Sequence, residues 1–168
     1  MTKINDWDAD LTWILMPVGR LWCRAVGVVF ERMGVTLSEA APILAMAKLG
    51  DGARQNVVAE QVGVDDAALV RSLDKLEGAG LIERRVDVAD RRARTLHLTS
   101  EGRALAKRLD VALTAYLEQV FAQISDADGQ AALRVLRAIE TASLQTLDGS
   151  RAADNARELD DFGQHRSL

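Results

Sequence analysis

Cysteine, histidine and proline are scarce in this chain of 168 residues, which has one, two and two of them respectively. A single cysteine excludes a disulfide framework and a cysteine-based zinc site, and it is typical of a reducing compartment such as the cytoplasm. The amino terminus is acidic, whereas a signal peptide begins with positive charge and an apolar core. The charge-free stretch Leu11–Gly19 has nine residues, fewer than the ~20 that span a bilayer. These absences predict a cytoplasmic protein without a membrane partner.

Catalytic and cofactor motifs are also missing. His97 and His165 lie far apart, and Cys23 has no histidine near it in the sequence. The chain has no glycine-rich phosphate loop, no zinc-protease motif and no nucleophile-elbow pattern. We therefore predict no enzymatic activity, no cofactor and no metal site.

Hydrophobic residues make up 48% of the chain and recur mostly with helical spacing. Pro17 lies inside the first apolar stripe, which predicts a kink or a helix start there. Residues with capping side chains precede the later stripes, namely Ser38, Asp65 or Asp66, Thr99 and Ser125. The predicted helices are Leu11–Phe30, Ser38–Leu49, Gln55–Gln61, Asp66–Glu77, Thr99–Ile124 and Ser125–Leu147.

A β-hairpin is predicted directly after the fourth helix. Leu81–Val86 and Ala93–Leu98 read as two strands, and the charged loop Asp87–Arg92 joins them. The three-residue turn Val62–Val64 between the third and fourth helices is typical of a helix-turn-helix. The predicted fold is mainly α with a small β-hairpin wing, a winged helix-turn-helix between long amino- and carboxy-terminal helices.

The net charge of −4 argues, on its face, against a nucleic-acid partner. The charge is unevenly distributed, because residues 84–103 carry six arginines against three acids, and residues 148–168 carry five acids against three arginines. The hairpin is therefore a positive region, and its tip presents Arg91 and Arg92 side by side. Adjacent arginines in such a loop are suited to a DNA minor groove.

The fourth predicted helix supplies a second candidate DNA-contacting surface. Opposite its apolar face lie a small residue, two cations and a hydroxyl, which suit close approach to base edges and phosphates. Asp65 and Asp66 would repel phosphate, and helix capping is their other role. A solvated polar face is the alternative interpretation. The residues concerned are Ala68, Arg71, Ser72 and Lys75.

Three motifs in this order resemble the MarR family of bacterial transcription regulators. They are Leu76–Arg84 with the sequence LEGAGLIER, Asp90–Arg94 with DRRAR, and Leu98–Arg103 with LTSEGR. Their spacing matches as well, and the resemblance covers about Leu11–Leu147. It implies a homodimer whose two recognition helices enter successive major grooves, ~34 Å apart, on a palindromic site in double-stranded DNA.

The resemblance also implies roles within the wing. Asp90 would brace the loop through a nearby arginine, Arg94 or Arg92. Arg91 or Arg92 would then enter the minor groove, and we favour Arg92. A solvent-facing charged turn is the alternative.

The long helices carry more apolar surface than a small winged domain can cover, and burial against a second copy would remove it from water. Folding back on their own subunit is the alternative. The predicted organisation is a dimerisation helix over 1–34, a DNA-binding domain over 35–103, dimerisation helices over 104–147 and a flexible polar tail over 148–168. The expected interface residues are Leu11, Leu15, Tyr116, Val120, Phe121, Leu136, Leu144 and Leu147.

By resemblance, the protein responds to a small aromatic or phenolic effector held in an apolar slot with one cation. Ordinary core packing, or a salt bridge for the arginine, is the alternative for these residues. Cys23 is either an oxidant sensor or an inert buried thiol. The candidate effector-binding residues are Trp13, Met16, Arg20, Cys23 and Met46.

The function predicted from the sequence is a sequence-specific DNA-binding transcription regulator, a repressor that a small effector releases from its operator. The alternative is a winged-helix protein-interaction module without specific DNA binding. Salt dependence separates the two, because phosphate contacts weaken steeply as salt rises.

Overall fold

The structure, a computed structural model, describes the backbone of residues 6–164 and the side chains of residues 7–148. The chain divides into two compact units, Met1–Val120 and Phe121–Leu168. The first unit contains the mainly helical fold and the small antiparallel sheet that were predicted. In chain order the elements are α1 Asp6–Glu31, α2 Leu37–Leu49, β1 Ala53–Arg54, α3 Gln55–Val62, α4 Asp66–Gly78, β2 Ile82–Val86, β3 Arg94–Leu98, α5 Ser100–Phe121 and α6 Asp126–Gln164.

Helix α1 runs without interruption through Pro17. Of the two outcomes predicted at that residue, a kink or a helix start, the helix start is wrong. Over Trp7–Glu31 it is also long and apolar enough to cross a membrane, judged by length and composition alone, and it is the one such helix among the described residues. The short charge-free stretch did not predict this, because Arg20 and Arg24 interrupt the apolar run without interrupting the helix.

The capping residues set where the central helices begin. Helix α2 starts after Thr36 rather than at Ser38, and the Thr36 backbone N–H and hydroxyl donate to the Glu39 carboxylate at 3.0 and 2.7 Å. Thr36 has a glutamate three residues later, as a capping box requires, and Ser38 does not. Both bonds lower the pKa of Glu39, and the bond from the Thr36 hydroxyl has the larger effect. Asp65 caps α4 as predicted, accepting the Ala68 N–H at 2.6 Å.

The sheet has the strand order β1–β3–β2, and both pairings are antiparallel. In the wing, Ile82 lies opposite Leu98 and Val86 opposite Arg94. Strand β1 pairs Ala53 with Leu96. It was not predicted, because two residues are too short to show an alternating pattern. The inward side of β3 belongs to the buried core shared with α2, α4 and α5.

Helix α5 begins in close contact with the end of the helix-turn-helix. The Thr99 hydroxyl donates to the Gly80 carbonyl at 2.8 Å and accepts the Gly102 N–H at 3.0 Å. Gly102 is buried, and a Cβ atom there would lie 2.0 Å from the Leu81 carbonyl oxygen. Threonine and glycine at this spacing therefore join the end of the helix-turn-helix to α5.

Helix α6 continues beyond the end predicted for it. Ser125 caps it as expected, accepting the Asp128 N–H at 3.2 Å. The helix then runs to Gln164, through the segment from Asp148 predicted as a flexible tail. Alanine, arginine, glutamate and leucine in this segment all favour helix, although its overall composition is polar. His165 lies outside the described residues.

Candidate nucleic-acid interface

Helix α4 exposes two cations on the side away from the core. Its three inward leucines are buried, while Arg71 and Lys75 are exposed. Ala68 and Ser72 are only half exposed, because they line a shallow groove beside α2. The exposed alanine of this face is Ala67. Arg71 and Lys75 are thus two cations of α4 that a partner can reach.

Two aspartates hold the tip of the β2–β3 hairpin by accepting backbone N–H groups. Asp87 accepts from Ala89 at 2.7 Å and from Asp90 at 3.2 Å. Asp90 in turn accepts from the backbone of Arg92 at 3.0 Å. The loop backbone is therefore fixed, while the side chains of Arg91 and Arg92 are exposed.

The arginine that braces the wing comes from outside it. Arg54 Nε donates to Asp87 Oδ2 at 2.7 Å, so the ion pair connects β1, at the start of α3, with the hairpin tip. Asp90 was expected to brace the wing through Arg94 or Arg92, and its contact is with Arg92, through the backbone N–H and not the guanidinium. Asp90 binds a backbone N–H, and Asp87, with a side chain only 12% exposed, makes the ion pair.

The Asp87 carboxylate is stabilised in its charged form. Hydrogen bonds from the Ala89 N–H and from Arg54 hold the pKa of Asp87 below its usual value of 3.8, and the bond from Ala89 has the larger effect. A carboxyl whose pKa is lowered by folding stabilises the folded state at pH values above its usual pKa. This stabilisation is lost as the pH falls through the lowered pKa. The brace is therefore fully formed at neutral pH.

Arg84 has a structural role in the hairpin. Its guanidinium pairs with Asp74 and, at 3.3 Å from Nε, with Glu77, both on α4. Its backbone N–H also donates to Glu77 at 3.2 Å. Arg84 thus connects β2 to the outward side of α4 and is not available to a partner.

Arg85 pairs with Glu83 of its own strand at 2.8 Å. Arg91, Arg92 and Arg94 have no carboxylate partner within the part of the chain that the structure describes. A cleft of about 380 Å³ separates the wing from the starts of α3 and α4. Asp66 is the acid from α4 in this cleft, and it lowers the local positive charge. The cleft is lined by Arg54, Gln55, Asn56, Asp66, Asp90, Arg92, Ala93 and Arg94.

The brace makes a testable prediction about the wing. Replacing Arg54 by alanine leaves Asp87 without its cation, so we expect the loop amides to exchange hydrogen several-fold faster. Hydrogen exchange at Ala89 and Arg92, followed by NMR at neutral pH, measures this. Arg85→Ala is the matched control, because Arg85 pairs only with Glu83 of its own strand. Equal exchange rates in wild type and Arg54→Ala would contradict the brace.

The candidate effector residues do not converge on one cavity. Trp13 and Met16 are 82% and 68% exposed on α1, and Arg20 is also exposed. Cys23 is exposed and borders a shallow depression on α1, so the expectation of a buried thiol is wrong. Met46 is buried and lines a different cavity, between α2, β3 and α5.

The candidate interface residues differ in how much their own chain covers them. Leu11 and Leu15 are half-buried, whereas Val120 and Phe121 are 39% and 51% exposed. Tyr116 packs against Trp22 with ring centroids 5.8 Å apart, inside the first unit. On α6, exposed apolar side chains recur along the helix, among them Leu136, Leu144 and Leu147.

Residues 7–148 contain no group of three or more metal-ligating side chains that could hold an ion. His97 lies against Asp51, with Nδ1 3.1 Å from the carboxylate, and its Nε2 is 3.1 Å from the Thr95 hydroxyl. The histidine therefore contributes to the packing of β3 against the turn after α2.

Comparison with known proteins agrees with this geometry. A family model described as the MarR family matches residues 33–93. An HTH-type transcriptional repressor of Mycobacterium tuberculosis is 32% identical over 118 residues, which are 70% of this chain and 84% of the relative. This chain belongs to the MarR family. Its members are transcription regulators, so the chain is a DNA-binding regulator with the predicted winged helix-turn-helix.

Solved MarR-family structures share the fold. CouR of Rhodococcus jostii RHA1, in a crystal structure bound to p-coumaroyl-CoA, is 27% identical with a TM-score of 0.70, covering 77% of this chain and 91% of CouR. The MepR–DNA complex of S. aureus is 18% identical with a TM-score of 0.68, covering 78% of this chain and 94% of MepR. At that identity, the second likeness shows the fold alone.

Proposed function

We propose that this MarR-family protein is a dimeric repressor of a palindromic operator, and that a small aromatic or phenolic effector releases it. Each subunit places α4 in a major groove and the wing tip in the adjacent minor groove. The release requires that the effector prefer an arrangement of the dimer in which the two α4 helices no longer fit successive grooves.

The observation that carries the proposal is a set of exposed cations on α4 and the wing tip. Arg71 and Lys75 are exposed on α4, and Arg91, Arg92 and Arg94 are exposed in the wing. A guanidinium can bind guanine edges or phosphate through two hydrogen bonds, and a narrow minor groove attracts arginine. Arg54, Arg84 and Arg85 each form an ion pair within the chain. The five exposed cations form none with an acid of the described residues, so they are available to DNA.

Recognition by α4 is tested by removing Arg71. We expect Arg71→Ala to weaken binding to the DNA flanking the protein's own gene by about 1–3 kcal/mol, the range for a base contact. Fluorescence anisotropy at fixed salt measures the affinity. Arg108→Ala removes the same charge from an exposed position on α5 and should leave affinity within about twofold. Equal losses in both variants would contradict a specific contact.

The dimer is supported by apolar side chains that a single chain leaves exposed. Ile14 on α1 and Leu144 on α6 are 55% and 52% exposed, and many of their neighbours are similar. Exposed apolar patches of soluble proteins mark binding surfaces, and the side chains on α1 and those on α6 are each a candidate for one. A second copy suits α1 better than a bilayer does, because Arg20 and Arg24 lie in the middle of the helix and charges at that depth are expensive.

Light scattering with size-exclusion chromatography tests this assembly. We expect a mass of two chains for wild type and a dissociation constant at least ~10-fold higher for Ile14→Asp, since an aspartate buried in an apolar interface loses its hydration. Val88→Asp is the control, because Val88 is fully exposed at the wing tip. A monomeric wild type, or a wild type that requires detergent to stay in solution, would contradict the proposed dimer.

A further inference from the structure

Two acids and two cations share the exposed side of the carboxy-terminal half of α4. Asp74 and Glu77 are exposed there, as are Arg71 and Lys75. Asp74 lies three residues after Arg71, and side chains with that spacing are neighbours on a helix surface. By itself, this part of α4 therefore has no net charge, and it places a carboxylate beside the arginine proposed to contact DNA.

Arg84 of β2 changes this charge balance. Its guanidinium pairs with Asp74 and lies 3.3 Å from the Glu77 carboxylate, so one cation serves both acids. The Arg84 side chain is only 19% exposed, whereas those of Asp74 and Glu77 are 61% and 45% exposed. Arg84 is therefore shielded from a partner, while the two carboxylates that it neutralises lie on the surface. We call these five charged residues the charge cluster: Arg71, Asp74, Lys75, Glu77 and Arg84.

We propose that Arg84 is a positioning residue for DNA binding, which holds Asp74 and thereby keeps Arg71 free for the DNA. With Arg84 present, the charge cluster has one net positive charge, and Arg71 and Lys75 form no ion pair with an acid of the described residues. Without Arg84, the Asp74 carboxylate would repel phosphate and would compete with DNA for the Arg71 guanidinium. The inference rests on the proposed placement of α4 in the major groove.

Attachment of β2 to α4 is the competing explanation for the Arg84 ion pairs, and one substitution separates the two. Asp74→Asn removes an acid from the charge cluster and leaves Arg84 with Glu77, which also accepts the Arg84 backbone N–H at 3.2 Å. Charge neutralisation predicts that this variant binds DNA at least as tightly as wild type. A purely structural ion pair predicts weaker binding when either partner is lost.

Four full-length proteins test the proposal on the DNA flanking the protein's own gene: wild type, Arg84→Ala, Asp74→Asn and the double variant. We expect Arg84→Ala to bind ~5-fold or more weakly, because the charge cluster loses its net positive charge. The double variant has the wild-type net charge, so we expect it to regain wild-type affinity within about twofold. Fluorescence anisotropy at one fixed salt concentration measures the affinities, and circular dichroism checks that each variant is folded.

Arg85→Ala is the matched control for Arg84→Ala. Arg85 is the next residue of β2 and pairs with Glu83, and both line a cleft beside the start of α5. Successive side chains of a strand point to opposite faces, so this ion pair lies away from α4. The control removes the same charge from the hairpin and should change DNA affinity at most about twofold. Equal losses for Arg84→Ala and Arg85→Ala, or a loss for Asp74→Asn that matches Arg84→Ala, would overturn the proposal.

NMR of the Arg71 side chain follows the competition for Asp74 without DNA. In Arg84→Ala we expect the Arg71 Nε–H signal to shift and to exchange with water more slowly, because Asp74 then accepts it. The signal should return to its wild-type position in the double variant. An Arg71 signal that is the same in all four proteins would overturn the proposal. If the signal shifts as expected and none of the four proteins binds DNA, the proposed function fails while the role of Arg84 in holding Asp74 is supported.

Discussion

Gly102→Ala is expected to destabilise the folded protein by about 3 kcal/mol, near the upper end for overpacking of a buried position. The added Cβ would lie 2.0 Å from the Leu81 carbonyl oxygen and 3.0 Å from its carbonyl carbon. Both of these atoms belong to the backbone, so no side-chain rotation relieves the overlap. Either α5 moves away from the end of the helix-turn-helix or the Thr99 bonds to Gly80 and Gly102 are broken.

Urea unfolding followed by circular dichroism measures this effect, with the ligand-free full chain at fixed concentration. Gly78→Ala is the matched control, because Gly78 is the last residue of α4, has ordinary helical backbone geometry and has open space around its Cβ position. We expect it to be neutral or to stabilise the fold by about 0.5–1 kcal/mol. Similar stabilities of the two alanine variants would contradict the packing described for Gly102.

Arg92→Ala is expected to weaken DNA binding by about 1–3 kcal/mol while leaving the free energy of unfolding unchanged. The Arg92 side chain is exposed and has no acid partner among the described residues. Its backbone N–H, which Asp90 holds, is retained in the variant. The loop therefore keeps its conformation and loses only the guanidinium.

Anisotropy titrations of the same DNA at several salt concentrations measure the change. Arg85→Ala is the control within the same hairpin, because Glu83 already neutralises that guanidinium at 2.8 Å. We expect a loss of at most about twofold for the control. Unchanged affinity for Arg92→Ala at moderate salt would remove the wing from the binding mechanism.

The sequence predicted the elements whose signals are local. The apolar spacing located α4, and the strand-like alternation followed by a charged loop located the wing to within a residue or two. Ser38 was predicted to cap α2, whereas the capping residue is Thr36. Both residue types cap helices, and only the glutamate three positions after Thr36 distinguishes the two. The helical continuation past Asp148 was missed because polar composition was taken as absence of structure.

The site was less predictable because its contacts join distant residues. Arg54 and Asp87 are 33 positions apart, and no periodicity links them. The motif DRR draws attention to Asp90, yet the ion pair is made by the aspartate three residues earlier. The cavity between α2, β3 and α5 depends on three segments that pack together only in the folded chain. Of the candidate effector residues, Met46 alone reaches it.

The most direct test of the central claim, specific DNA binding by α4 and the wing, is a salt series with two DNA duplexes. One carries the region flanking the protein's own gene, and the other has the same composition in scrambled order. We predict tighter binding to the first by a factor of ~10³ or more, steep weakening with salt and saturation at two chains per site. Equal binding of both duplexes, or no binding at low salt, would contradict the account.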